Sequence, residues 1–262
     1  MSFHPIGIFD SGVGGTSIWK EIHLLLPHEK TIYLADSINA PYGEKPVEVI
    51  KQLSFKNTDK LLSLGCKLIV VACNTATTNA IQDLRAFYNV PFIGIEPAIK
   101  PAALRSRSKT IGILATKGTL SSALFSKTSE LYTHNMEVIE VEGNGLVELI
   151  ESGRKDSVET EELLRRLLKP MLIKKIDCLV LGCSHYPYLI PTLKKILPQE
   201  VQIIDSGEAV ARQTKAILEK NKLLNSSLDF PAPEFFSNKN PEVLAAIINS
   251  EAKNYQVSYL DF

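Results

Sequence analysis

Leu68-Ile69-Val70-Val71-Ala72-Cys73-Asn74-Thr75 is an apolar run that stops abruptly at a cysteine followed by two small polar residues. A continuous aliphatic run of this kind reads as a strand buried on both faces, as in a parallel sheet. Cys73 then falls at the strand's carboxyl end, where open α/β sheets collect ligands and where the N–H groups of a following helix point outward. The same grammar returns at Cys178-Leu179-Val180-Leu181-Gly182-Cys183-Ser184-His185, now with a histidine two residues past the cysteine. If the two runs are equivalent strands of two similar units, architecture pairs Cys73 with Cys183.

Working outward, Ile6-Gly7-Ile8-Phe9 is a short strand and Asp10-Ser11-Gly12-Val13-Gly14-Gly15-Thr16 a glycine-rich turn that opens a helix ending before Pro27. A second strand covers residues 31–35, a loop with Pro41-Tyr42-Gly43 follows, and a helix spans residues 46–64, closed by Gly65. After Cys73, Asn74 or Thr75 is expected to cap a helix to about Phe87, before a fourth strand at residues 91–95. This βαβαβαβ order predicts an α/β fold with a mostly parallel sheet and helices on both faces.

From Thr110 the pattern restarts. Ile111-Gly112-Ile113-Leu114 resembles the first strand, and Ala115-Thr116-Lys117-Gly118-Thr119 stands where the glycine turn stood. Cys73 follows Ile6 by 67 positions and Cys183 follows Ile111 by 72, a difference that surface loops absorb. The break between units is expected near residues 97–101, where Pro97 and Pro101 interrupt the strand pattern. The tail reads as a helix at residues 208–220, a strand at 234–236, a helix after Pro241 and a strand at 255–259. Pattern alone does not assign it to either unit.

Composition narrows the function. Of 262 residues, 45% are hydrophobic and 22% charged, which is ordinary for a folded soluble protein. The 29 basic residues balance 29 acidic ones, so nucleic acid or an acidic membrane surface is not the expected partner. Met1-Ser2-Phe3-His4-Pro5 has no basic and apolar leader character, and no window approaches the roughly 18 apolar residues of a membrane span. The reading is cytoplasmic. Cysteines 66, 73, 178 and 183 form no C-x-x-C pair, so neither a disulfide framework nor a metal site is expected.

Two thiols facing each other across a cleft suit one reaction above others: removal of a proton from one face of a carbon and its return from the other. Each thiol has an ordinary pKa near ~8.5 and needs a neighbour or a helix N-terminus to become a thiolate. Both cysteines precede expected helices. His185 is placed to exchange a proton with Cys183, and Asp10 to serve Cys73. The turn at residues 10–16 is open to three readings: a backbone cradle for phosphate, the same donors used on a substrate carboxylate, or a simple tight turn. Asn74, Thr75 and Ser184 are either helix caps or substrate donors. Cys66 and Cys178 read as small core residues, and Trp19 and Tyr33 as core aromatics.

Four motifs in order, Asp10-Ser11-Gly12-Val13-Gly14-Gly15, Pro41-Tyr42-Gly43 with Lys45, Ala72-Cys73-Asn74-Thr75-Ala76 and Leu181-Gly182-Cys183-Ser184-His185-Tyr186-Pro187, resemble glutamate racemases of the aspartate/glutamate racemase group. The resemblance spans nearly the whole chain. It implies two similar three-layer α/β domains with mainly parallel sheets, related by a pseudo-dyad, with the active site in the interdomain cleft. The tail would fold back on the first, giving residues 1–97 plus 206–262 and residues 98–205. It implies interconversion of L- and D-glutamate without a cofactor or metal, D-glutamate passing into peptidoglycan, and a homodimer.

By the same resemblance Cys73 and Cys183 look like the acid/base thiols, assisted by Asp10 and His185, with Glu151 the acidic residue near the second thiol. Ser11, Tyr42, Gly43, Asn74, Thr75, Ser184 and His185, with Asp10, look like substrate contacts, and Thr119 is a further candidate. Two departures stand out. Ser184 replaces the usual threonine, and Asp36-Ser37-Ile38-Asn39-Ala40 replaces an Asp-x-Ala-Arg pattern. The competing readings are a racemase of aspartate or another amino acid, a cysteine hydrolase built on Cys183 and His185, and a non-catalytic anion-binding protein.

Overall fold

The computed structural model describes residues 3–249 and 254–262; Met1-Ser2 of the leader reading lies outside the described residues. The strands are β1 (Ile6–Asp10), β2 (Thr31–Ala35), β3 (Leu68–Val71), β4 (Phe92–Gly94), β5 (Thr110–Ala115), β6 (Glu137–Glu142), β7 (Cys178–Gly182), β8 (Gln202–Ile204), β9 (Glu234–Ser237) and β10 (Val257–Tyr259). They form a six-stranded sheet in the order β10-β9-β2-β1-β3-β4 and a four-stranded sheet in the order β6-β5-β7-β8. Every pairing is parallel. The fold is α/β.

The common arrangement 2-1-3-4 recurs in both sheets, with β5 standing for β1 and β7 for β3. Register makes the equivalence exact at the residue level. Ile6 pairs with Leu68 and Ile111 with Cys178, so Cys73 and Cys183 each lie five residues past the position that meets the first residue of that run. Cys178, which looks like the odd cysteine of its stretch, is the counterpart of Leu68, and it is fully buried.

The helices α1 (Thr16–Leu25), α2 (Val47–Ser63) and α3 (Asn74–Phe87) cover the first sheet, and a helix over Gly207–Lys220 packs against α1. One buried apolar cluster runs from Ile8 and Val70 through Val13, Ile18, Val147 and Ile150 to Leu179 and Leu181. Each such side chain contributes roughly 1.5–3 kcal/mol on burial, against about 1 kcal/mol for a hydrogen bond, so this apolar seam rather than its few polar bonds joins the sheets. No helix among the described residues is long and apolar enough to cross a membrane.

Two local expectations are corrected and one is refined. The cap of α3 is neither Asn74 nor Thr75 but Cys73 itself, extended at φ −108°, whose sulfur accepts from the Ala76 N–H. The strand pattern does stop at residues 97–101, and a helix the sequence did not mark starts there at Ile99 and runs to Arg105, with Pro101 tolerated in its first turn. Cys183 does not lead directly into a helix: a 3-10 turn over Tyr186–Leu189 and only then a helix over Ile190–Ile196 follow it. Pro187 and Pro191 each remove a backbone donor, which keeps this segment from starting as one long helix.

Candidate active site

Ser11, Tyr42, Gly43, Cys73, Asn74, Thr75, Cys183, Ser184 and His185 line a single narrow pocket, together with Pro41, Thr116 and Val147. The sequence had marked the first nine. Pro41, Thr116 and Val147 were not among them; the only available hint for Thr116 was its place in the second unit's counterpart of the glycine turn. Thr119, also a candidate, sits one step back: its hydroxyl is 3.0 Å from that of Thr116, which is 2.9 Å from that of Thr75.

The glycine turn is explained by what crosses it. A Cβ on Gly12 would lie 1.8 Å from Glu151 Oε1, and one on Gly14 would lie 2.2 Å from His185 Nδ1. Only a residue without a side chain admits those two groups, one from the helix ending at Glu151 and one from the segment after β7. The turn's donors are also committed: Gly12 and Gly15 N–H groups donate to Asp10 Oδ2 at 3.3 and 2.9 Å, and Val13 N–H to Glu151 Oε1 at 2.6 Å. Those three amides are taken by carboxylates and are not open to a phosphate. Tyr33, placed in the core by the sequence, donates its hydroxyl to the Gly12 carbonyl at 2.8 Å and so fastens the turn from beneath.

Around the second thiol a chain of side chains is assembled. Cys183 Sγ lies 3.7 Å from His185 Nδ1, and His185 Nε2 lies 2.6 Å from Glu151 Oε1. Asp10 joins this group rather than bonding the first thiol: Ser184 Oγ donates to its Oδ1 at 3.1 Å and its Oδ2 is 4.0 Å from His185 Nδ1. Burial alone would lower the His185 pKa. The hydrogen bonds with Cys183 and Glu151 and the Asp10 charge outweigh it and hold the imidazole well above its ordinary range. Asp10 itself is raised, chiefly by burial.

The first thiol has a different setting. Cys73 Sγ accepts from Ala76 N–H at 3.5 Å and lies 3.7 Å from Ser11 Oγ. Burial, then the Asp10 charge, push its pKa well above the ordinary thiol value, and the Ala76 and Ser11 contacts offset this only in part. Cys66 and Cys178 are buried outside the cavity, raised by burial to about 12 and about 11.

One feature of the cavity wall points to a ligand. Asn74 is 2% exposed, yet both its amide nitrogen and its amide oxygen are without a hydrogen-bond partner. A buried amide with both ends idle costs on the order of 1–3 kcal/mol per group, and is retained where something polar completes it. Among the described residues no group of three or more His, Cys, Asp or Glu side chains is arranged to hold a metal ion.

Comparison with known proteins adds independent lines. Residues 16–214 match the family model described as Asp/Glu/Hydantoin racemase. A glutamate racemase of Ectopseudomonas mendocina is 47% identical over 221 residues, covering 84% of each chain. Among solved structures, the glutamate racemase isoform RacE1 of Bacillus anthracis superposes with a TM-score of 0.88 at 30% identity, over 100% of this chain and 99% of that one. The Escherichia coli glutamate racemase, solved with L-glutamate and an activator, gives 0.86 at 32% identity, over 98% and 97%.

Proposed function

Since the chain belongs to the Asp/Glu/hydantoin racemase family, we propose that it interconverts L- and D-glutamate by a two-thiol mechanism. One of Cys73 and Cys183, as thiolate, takes the proton from the glutamate α-carbon. The other, as thiol, returns a proton to the opposite face, and the configuration inverts without a cofactor. The observation that carries this reading is the pair of thiols at equivalent register positions of two sheets, both lining one cavity whose Asn74 amide has both ends available.

Each other residue has a part. His185, held by Glu151, exchanges the proton with Cys183; Ser11 and the Ala76 N–H attend Cys73. Asp10 holds the glycine turn and the Ser184 hydroxyl in place, and its charge bears on Cys73. Ser11, Asn74, Thr75, Ser184, His185 and the Tyr42-Gly43 loop receive the substrate's carboxylates and ammonium. Removing an α-proton is hard because negative charge collects on the carboxylate, so donors fixed in advance around it are where catalysis gains most.

The division of strands between the sheets supports two domains, residues 1–97 plus 206–262 and residues 98–205. D-glutamate destined for peptidoglycan, a cytoplasmic location and a homodimer belong to the same reading. The deciding experiment is circular dichroism of the purified protein with D-glutamate and D-aspartate in parallel. Loss of optical activity with glutamate, far faster than with aspartate, is expected; binding without turnover overturns the reading.

A further inference from the structure

Asn238 follows β9 in the C-terminal part of the chain and is 4% exposed. Both ends of its side chain are used on one short segment. Its Nδ2 donates to Asp36 Oδ1 at 2.5 Å, and its Oδ1 accepts from the Ile38 N–H at 3.0 Å. Asp36 is fully buried. Its other partners are the Asn39 Nδ2 at 2.8 Å and the hydroxyl of Tyr42, which in turn accepts from Asn57 Nδ2 at 3.0 Å. Tyr42 lines the cavity.

Resting on the racemase reading, we propose that Asn238 is a positioning residue for this reaction, which sets the Tyr42-Gly43 wall of the substrate cavity through Asp36. The carboxylate of Asp36 has the phenol and two carboxamides as its partners, and among the described residues no cation bonds to it. A buried charge held only by neutral donors depends on each of them, because losing one leaves its share of the charge uncompensated. Removal of Asn238 takes one of the two amide donors and also frees the Ile38 end of the turn Ser37–Asn39, which Asp36 begins. That turn also carries Ser37, whose hydroxyl lies 3.4 Å from Glu151 Oε2, so it touches both halves of the site. The thiols themselves stand outside this network.

The placement predicts a defect in substrate binding rather than in proton transfer. In Asn238→Ala, KM for D-glutamate rises about tenfold while kcat stays within about twofold, with the melting temperature followed by circular dichroism to confirm folding. Tyr42→Phe, which cuts the link to Asp36, gives its own rise in KM. The double variant Asn238→Ala/Tyr42→Phe then rises less than about twofold further, because the two residues act on one element. Three results overturn the proposal: a KM unchanged in Asn238→Ala, a fall in kcat alone, or effects of the two substitutions that multiply in full. A wild-type protein that does not racemise glutamate overturns the underlying reading and this inference with it, whereas an active wild type with independent variants overturns the inference alone. Asn238→Asp, the same shape without the donor and with a second carboxylate facing Asp36, is expected to exceed Asn238→Ala in its effect on KM.

Discussion

Cys73 and Cys183 occupy the same register position in two sheets of the same strand order, yet their surroundings share almost nothing. Cys73 is a helix cap, served by a backbone N–H and a serine hydroxyl, and burial with the Asp10 charge holds it as a thiol. Cys183 enters a proline-broken turn and is served by His185 and Glu151. The reaction proposed is symmetric and its product is the mirror image of its substrate. The proposed mechanism runs the two halves with different chemistry: in one, the backbone supplies the donor, and in the other a side-chain relay does. Duplicated strands fix where the sulfur sits; the residues after it fix which groups serve it.

Replacing either sulfur tests the comparison most severely. Cys73→Ser and Cys183→Ser are each expected to lower racemisation by at least about a thousandfold, about 4 kcal/mol of barrier, measured by polarimetry. Appreciable turnover in either would reduce the pair to a single catalytic thiol.

The relay is the next largest effect. His185→Asn is expected to lower kcat/KM about a hundredfold, the usual scale for losing a proton-transfer partner, and Glu151→Gln by less. Because the two enantiomers are equal in free energy, kcat/KM must match in both directions whatever the variant. The asymmetry is read instead from α-deuterated substrates: in His185→Asn the enantiomer whose proton goes to Cys183 is expected to show the larger isotope effect. Equal effects for both enantiomers would mean that His185 serves the cavity as a whole.

The smallest effect expected is a shift in pH dependence. Burial, and after it the Asp10 charge, raises the Cys73 pKa, so the thiolate forms only as pH climbs through the alkaline range, and kcat/KM should climb with it. Asp10→Asn keeps an acceptor for the Gly12 and Gly15 amides but removes the charge. The rise should therefore move to lower pH, with a rate change near neutrality below about tenfold. A rise that stays put would assign the elevated pKa to burial alone.

Much of this was legible in residues. Buried parallel strands announce themselves by aliphatic runs, and the equivalence of the two cysteines followed from strand order and spacing alone. What escaped lies where the deciding contact is distant in sequence. The turn at Gly12 and Gly14 reads equally as an anion cradle or a plain tight turn, whereas these are glycines because Glu151 and His185 come to rest on them. Asn238 is separated from Asp36 by 202 positions, and no local pattern distinguishes it from a surface turn residue. The missing helix after Cys183 was signalled by Pro187 and Pro191, whose lost donors count for more than the apolar spacing around them.

The order of strands has a consequence for synthesis of the chain. β5 to β8 are contiguous, so the four-stranded sheet can close as soon as residue 204 has emerged, whereas β2 must wait for residues 234–237 before its open side is paired. Until then an apolar strand presents free backbone groups, the kind of edge that captures other chains. Asn238 arrives immediately behind the strand that closes it, and with it the last amide on Asp36. A ribosome that stalls before this point would hold a protein with both sulfurs made but one wall of the cavity still unset.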